Sequence, residues 1–555
     1  MTTRWTRLAA LFALAASLSL PAARAQAPLV RAESPTPVDR GSFGGTVLGV
    51  PDLDGDGRGD VVVGAVGEEA GRRGAGQVHV FSGATGAFLR SLKSPAPQVN
   101  GQFGASLALV PDTDGDGRGD LLVGALTENG NGQQFGTGRV YLFRGTTDMV
   151  RLVLASPDPQ FGCDFGFAVA GVPDADGDGV ADLFVSAPFE DGSVPNAGRA
   201  YLFSGATGAL LRSLVSPAPE ASGYFGFGVS GVPDVDGDGR GDLLVLALGD
   251  DGEPGEDGGA GRIYLFSGAT GALLRTIGSP DPDAAGSFGF SAVGVRDADG
   301  DGRGDLLAAA FTTGRGGADN AGHVSLYSGA TGAVLMTLTS PNPEVGGFFG
   351  SSIAAVPDTD GDGRDEILVG ASAEAAAYGG PLNTGRAYLF SGMTGALLRS
   401  LASPAPDPDP GDFYAGYFGA AVASVPDVDG NGRADLLVGA FFENGGAQDA
   451  GRVYVFAAAA TTAAPAPDAR RLALSARPNP TATAATLAFT LDAAGPARLV
   501  VVDALGREVA VAFDGAAQAG ETTARVDVSA LPAGVYVARL TAGASVATQR
   551  VTVVR

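Results

Sequence analysis

Apolar residues along this chain come in runs of four to six that are too short and too rich in β-branched and aromatic types for helices. The first set reads "FGGTVLGV" at 43–50, "DVVVGA" at 60–65, "QVHVF" at 77–81 and "FLRSL" at 88–92, each run bounded by Gly, Pro, Asp or Ser. Four such runs between turn signals predict a four-stranded antiparallel sheet, and helical spacing is absent. The set then repeats. A Phe-Gly pair stands at Phe43, Phe103, Phe165, Phe225, Phe288, Phe349 and Phe418, and nine residues after each Phe an Asp-rich loop begins.

Seven sheets of this kind must stack to bury their faces, and a radial stack that closes on itself leaves only short, protected edges. The fold class predicted is all-β: a seven-bladed β-propeller over 26–456, favoured over a linear solenoid, whose repeats are shorter. The seventh unit stops at Phe456 without a fourth run. "PLVRAESP" at 28–35 matches "LLRSLASP" at 397–404, so the N-terminal strand is expected to complete the last blade. Ahead of it, Arg4 and Arg7 precede an apolar run from Leu8 to Leu20, and Ala23-Arg24-Ala25 offers a cleavage site. Residues 1–25 read as a signal peptide rather than a membrane anchor, leaving no transmembrane segment in the mature chain.

Charge and cysteine content narrow the chemistry. Cys163 is the single cysteine, so no intrachain disulfide can brace an exported fold. Net charge is −25, and removing Arg4, Arg7 and Arg24 with the signal takes it to −28, which argues against nucleic acid and anionic lipid as natural partners.

The Asp-rich loops account for that charge. Position 1 is Asp52, Asp112, Asp174, Asp234, Asp297, Asp358 and Asp427; position 3 is Asp54, Asp114, Asp176, Asp236, Asp299, Asp360 and Asp429. Position 5 is Asp56, Asp116, Asp178, Asp238, Asp301, Asp362 and Asn431; position 9 is Asp60, Asp120, Asp182, Asp242, Asp305, Glu366 and Asp435. Oxygen ligands on alternate residues of a tight loop converge on a hard cation, with the position-7 carbonyl completing the set. Position 7 then has a side chain free to vary: Arg58, Arg118, Val180, Arg240, Arg303, Arg364 and Arg433. An EF-hand needs Glu at position 12, where Val63 stands, so a calcium-bound hairpin between two strands fits better, and magnesium's stricter geometry favours calcium. About seven ions are expected, one per blade. Arg58-Gly59-Asp60 and the copies ending at Asp120, Asp242 and Asp305 fall on positions 7 to 9 of a metal loop, which commits the Asp to the ion and argues against an adhesive Arg-Gly-Asp.

Phe43-Gly44, Asp52 to Asp60 and Gly64-Ala65, repeated seven times, resemble the FG-GAP repeat of the integrin α-subunit N-terminal propeller. The strand ends Ser186-Ala187-Pro188, Leu246-Ala247 and Ala309-Ala310 depart from its Gly-Ala-Pro pattern. The resemblance implies calcium on the lower face and macromolecular recognition on the upper one, built from the loops joining strands 2 to 3 and 4 to 1. Those loops vary most here, as in "TENGNGQQFGTG" at 127–138 and "APDPDPGDFYAGY" at 405–417. Phe135, Tyr224, Tyr378, Phe413, Tyr414 and Tyr417 are candidates for contact with an extracellular protein or glycan, or for packing within their own loops.

After a linker at 457–470 the composition changes, and 471–555 alternates apolar and polar residues as a small β-sandwich does. Pro478-Asn479-Pro480, Asp503 with Gly506-Arg507, "LPAGVY" at 531–536 and Arg555 make it similar to the C-terminal sorting domain of the type IX secretion system. That implies passage of the outer membrane of a bacterium to the surface or medium; an accessory immunoglobulin-like module is the alternative. A recognition or adhesion module is the leading functional reading, ahead of a polysaccharide-active enzyme or a purely structural surface protein. His79 and His323 both fall in third strands, at what reads as one packing position, with no Ser-His-Asp spacing, and Cys163 lacks a base partner.

Overall fold

A computed structural model describes residues 27–129, 136–250, 260–279, 288–312, 320–375, 384–406, 416–458 and, beyond 473, all but 478, 480, 492–494, 503–506, 519, 543–544 and 555. The chain folds as two compact units, 1–460 and 461–555. The signal peptide and most of the linker lie outside the described residues, as do Phe135, Tyr378, Phe413 and Tyr414. So do Pro478, Pro480, Asp503, Gly506 and Arg555 of the C-terminal motifs.

The first unit is the expected seven-bladed propeller. Blade 1 comprises Phe43–Val50, Asp60–Ala65, Gln77–Phe81 and Phe88–Leu92, hydrogen-bonded in that order, and five further blades repeat it in chain order. Blade 7 is composite: Ala421–Val425, Asp435–Ala440 and Arg452–Phe456 are joined by Val30–Glu33, antiparallel to the last with Val30 opposite Val455. Val30 and Ala32 bury in one cluster with Phe43 and Val61 of blade 1 and Leu437 and Val453 of blade 7, so the strand's apolar face closes the ring.

Burial follows the period of two. In blade 2, Leu121, Val123, Tyr141 and Phe143 pack toward blade 1, while Leu122, Val140 and Leu142 pack toward blade 3. Both faces of every second strand are therefore buried, which is why these runs are apolar without interruption. The Phe of each Phe-Gly pair is fully buried, and in blade 1 it meets the third-strand Phe81 edge-on at 5.7 Å. Its Gly has positive φ, +88° at Gly44, and a Cβ there would press on the neighbouring blade's Arg452 carbonyl. A register shift between Phe43 and Thr46 marks the bulge this conformation makes. The first strand is shorter in blades 3 and 7, Val169–Val172 and Ala421–Val425; in blade 3 Ser186, standing for Gly at the end of the second strand, accepts the Ala168 N–H on its Oγ at 2.9 Å.

The second unit holds two sheets. Leu474–Arg477, Ala484–Leu491 and Gly520–Asp527 form one; Glu508–Ala517, Gly495–Val502, Gly534–Ala542 and Ser545–Val553 form the other. Leu487, Phe489, Leu499, Val501, Leu540 and Val551 bury in a common core, and Tyr536 Oη donates to the Pro532 carbonyl at 2.9 Å.

Candidate metal centres and the opposite face

Each Asp loop closes through its own carboxylates. In the first, both Asp52 oxygens accept loop N–H groups, from Gly55 at 2.5 Å and Gly57 at 2.8 Å. Gly55 and Gly57 have φ of +94° and +83°, open only to Gly at small cost. Asp60 at position 9 is fully buried and ties three segments together: Oδ2 accepts Leu53 N–H at 2.7 Å and Oδ1 accepts Gly83 N–H, from the hairpin between strands 3 and 4, at 3.0 Å. The Asp of Arg58-Gly59-Asp60 is thus held inside the fold by backbone N–H groups.

Carboxylate oxygens at positions 1, 3 and 9 gather within 4.8 Å of one another in Asp52/Asp54/Asp60, Asp112/Asp114/Asp120, Asp174/Asp176/Asp182 and Asp234/Asp236/Asp242. In the sixth loop Asp362 at position 5 joins Asp358, Asp360 and Glu366. Asp56, Asp116, Asp178 and Asp238 do not join their groups; Oδ1 of each, like that of Asp362, accepts the N–H of position 7, at 2.8 Å for Arg58. Asp301 and Asn431 make the same bond to Arg303 and Arg433. Burial, with Asp176 and Asp236 adding like charge, pushes the carboxyls of Asp182 and Asp242 up to about 6. Converging hard oxygens that destabilise one another's charge suit a divalent cation.

The position-7 side chains, expected only to be free to vary, make contacts of their own. Nη1 of Arg118 donates to the Asp52 carbonyl of the preceding loop at 3.0 Å, and Nη1 of Arg240 to the Ala175 carbonyl at 2.9 Å. Arg303, Arg364 and Arg433 reach the carbonyls of Val235, Asp297 and Thr359, and Arg58 lies 3.6 Å from Asp427 Oδ1 across the ring closure. A guanidinium is long enough to bridge adjacent blades, a relation invisible within one repeat. Val180 breaks the belt.

The opposite end carries a second repeated device that the sequence pattern did not announce. Three residues after the second strand, Glu68, Glu128, Glu190, Asp250, Glu374 and Glu443 are fully buried. Glu190 accepts Tyr201 Oη at 2.6 Å and Ser156 Oγ, from the end of the previous blade's last strand, at 3.2 Å. Asp250 takes Tyr264 and Ser216, Glu374 takes Tyr388 and Ser340, and Glu443 takes Tyr454 and Ser403. Burial is the main cause that drives Glu374 up to about 7. Blade 5 replaces the pair together in sequence, with Thr313 for the acid and Ser325 for the Tyr, so no buried charge loses its donor. The repeated Ser-Pro and the acid after each strand end were the available signals.

In blade 1 His79 takes the Tyr place, with Nε2 2.8 Å from Glu68 and Nδ1 2.8 Å from Ser91 Oγ. A Ser–His–acid line therefore exists, although the spacing showed none. The ring is fully buried among Phe43, Phe81 and Phe88 and repeats a structural position. The two histidines are also not equivalent: His79 is third in its strand and His323 first. Cys163 is buried, donates to the Thr137 carbonyl at 3.2 Å, and has its thiol pKa raised by burial.

At the same upper end, half-buried aromatic rings run across blades 3 to 6. Centroids are 5.4 Å apart for Tyr224–Phe189, 5.8 Å for Phe189–Phe167, 5.0 Å for Phe167–Phe227, 5.6 Å for Phe227–Phe290, 4.4 Å for Phe290–Phe311 and 5.5 Å for Phe311–Phe348. Tyr417 joins a separate group with Phe441 and Phe442. Only Tyr224 and Tyr417 were expected; the thrice-written "FGF" of blades 3 to 5 was the signal overlooked.

Comparison with known proteins agrees with this architecture. The FG-GAP repeat model matches residues 43–81, 103–143, 165–203, 349–390 and 418–456, and the secretion system C-terminal sorting domain model matches 476–554. Blades 4 and 5, outside the first match, are built from the same four strands. Integrin alpha-10 of Homo sapiens is 36% identical over 159 residues, 27% of this chain and 13% of that protein. Integrin alpha-IIb of Mus musculus is 37% identical over 162 residues, 27% and 15% respectively, and integrin alpha-3 of Cricetulus griseus 35% over 167 residues, 28% and 15%. The match thus spans less than a fifth of each of these relatives. Among the described residues no helix is long and apolar enough to cross a membrane, and the sorting domain directs the chain to the cell surface or medium. The chain carries FG-GAP repeats, is homologous over part of its length to integrin α subunits, and ends in a type IX secretion C-terminal sorting domain.

Proposed function

We propose that this protein is an exported recognition or adhesion module, in which calcium held by the Asp loops stiffens the ring and the opposite face binds an extracellular protein or glycan. The band of half-exposed aromatic rings from Tyr224 to Phe348 carries the reading. It offers flat apolar faces suited to sugar rings or protein side chains, on the end where loops differ most between blades. Integrin relatives support an extracellular role, and the gathered carboxylates support the cation. Removing the signal takes the charge to −28, and each calcium ion bound would offset two of those charges. Recognition is favoured over catalysis because the Ser91–His79–Glu68 line is buried and belongs to a structural series.

Screening the calcium-loaded chain against glycans and surface proteins tests this. Saturable binding that weakens about tenfold or more in a Phe227→Ala/Phe290→Ala variant of unchanged melting temperature is expected. Binding indifferent to those rings, or turnover of a polysaccharide, overturns it.

A further inference from the structure

The second blade departs from the others at two places on the Asp-loop end. Val180, at position 7 of the third loop, leaves the second loop without the guanidinium that each other loop receives from its neighbour. The residue that opens the hairpin between strands 3 and 4 is Ser82, Ser204, Ser267, Ser328 and Ser391 in five blades, where its hydroxyl caps the turn; in blade 2 it is Arg144. Arg144 Nε lies 3.2 Å from Asp114 Oδ2. The Asp114 side chain is 7% exposed, that oxygen has no hydrogen-bond partner, and Oδ1 already holds the Asp116 N–H at 3.2 Å. Asp114 is the position-3 member of the Asp112/Asp114/Asp120 group. Among the described residues, no other position-3 carboxylate is ion-paired with a guanidinium.

We propose that Arg144 is a built-in counter-cation, so that the second loop stays free of calcium where the other six load. The inference rests on the calcium reading above. A guanidinium on the free oxygen satisfies the charge that a divalent ion would neutralise. An ion entering beside it faces like charge, which lowers affinity by roughly tenfold or more even in a water-like dielectric.

Calcium bound per chain, measured by elemental mass spectrometry and calorimetric titration on the mature full-length protein, decides it. The unaltered chain should bind six equivalents. Arg144→Ser, which restores the residue of five other blades, should bind seven, and the reverse transplant Ser204→Arg in blade 3 should bind five. Melting temperature in calcium checks that both variants fold. Seven equivalents in the unaltered chain, or equal counts in all three proteins, overturns the role of Arg144. No bound calcium in any of them defeats the calcium reading itself, a distinct outcome.

Discussion

Single side chains do two kinds of work in this ring, and both cross the seam between blades. The Glu374 carboxylate is buried with hydroxyls of Tyr388 and of Ser340 from the preceding blade as its donors. Removing one donor leaves charge in a dry site, so Tyr388→Phe should cost about 1.5–3 kcal/mol by denaturant unfolding, despite the small change in shape. Protonation offers a second test. Burial raises Glu374 to about 7 in the folded chain from an ordinary value of 4.5, so the folded state binds the proton more tightly. Its contribution is fully present below pH 4.5 and is lost as pH rises through 7, on the order of 3 kcal/mol in total. Unfolding of the unaltered chain and of Glu374→Gln in saturating calcium, at about pH 5 and about pH 8, should show the variant gaining relative stability at the higher pH. Equal slopes refute the assignment.

Strands and loops show why one sentence of sequence could be written seven times. Every second strand is buried on both faces, the Phe-Gly glycine of blade 1 brings backbone close to the preceding blade, and the position-9 Asp of six blades ties the Asp loop to the segment after the third strand. The exception is the strand borrowed from the other end of the chain. Val30–Glu33 covers the open edge of Arg452–Phe456, and Arg452 Nε adds a bond to Glu33 at 2.8 Å. Deleting residues 27–35 exposes that edge and the apolar cluster beneath it. We expect a fall in melting temperature of roughly 10 °C or more, read by calorimetry, with partial recovery when the peptide is added back. An unchanged transition excludes this mode of closure.

Across the molecule, an acidic ring without a disulfide is followed by a domain that addresses it outward. The sorting role predicts that deleting 471–555 traps a folded propeller in the periplasm, whereas an accessory module would leave export intact; cell fractionation separates the two. The two ends of the propeller divide their labour. Carboxylates at one end gather around loop centres, and those at the other are hydrogen-bonded by Tyr, Ser and His. Aromatic rings on that second end remain half-exposed.

Repeat number, blade content, the Asp loops and the borrowed strand were all legible in sequence, because each is local pattern or a match between copies. Period-two burial and alternate oxygen ligands leave a signature within about ten residues. What only the tertiary structure decided lies between copies. Arg118 reaches Asp52 from 66 residues away and Ser156 reaches Glu190 across 34, while Phe227 meets Phe167 and Phe290 from the blades on either side. A radial stack sets position against position across a seam, and no periodicity within one blade encodes which side chains are long enough to cross it. A different reason hid the Ser91–His79–Glu68 line and the pairing of Arg144 with Asp114. Both lie within one blade, where the pairing of its strands brings together side chains 11 to 30 residues apart.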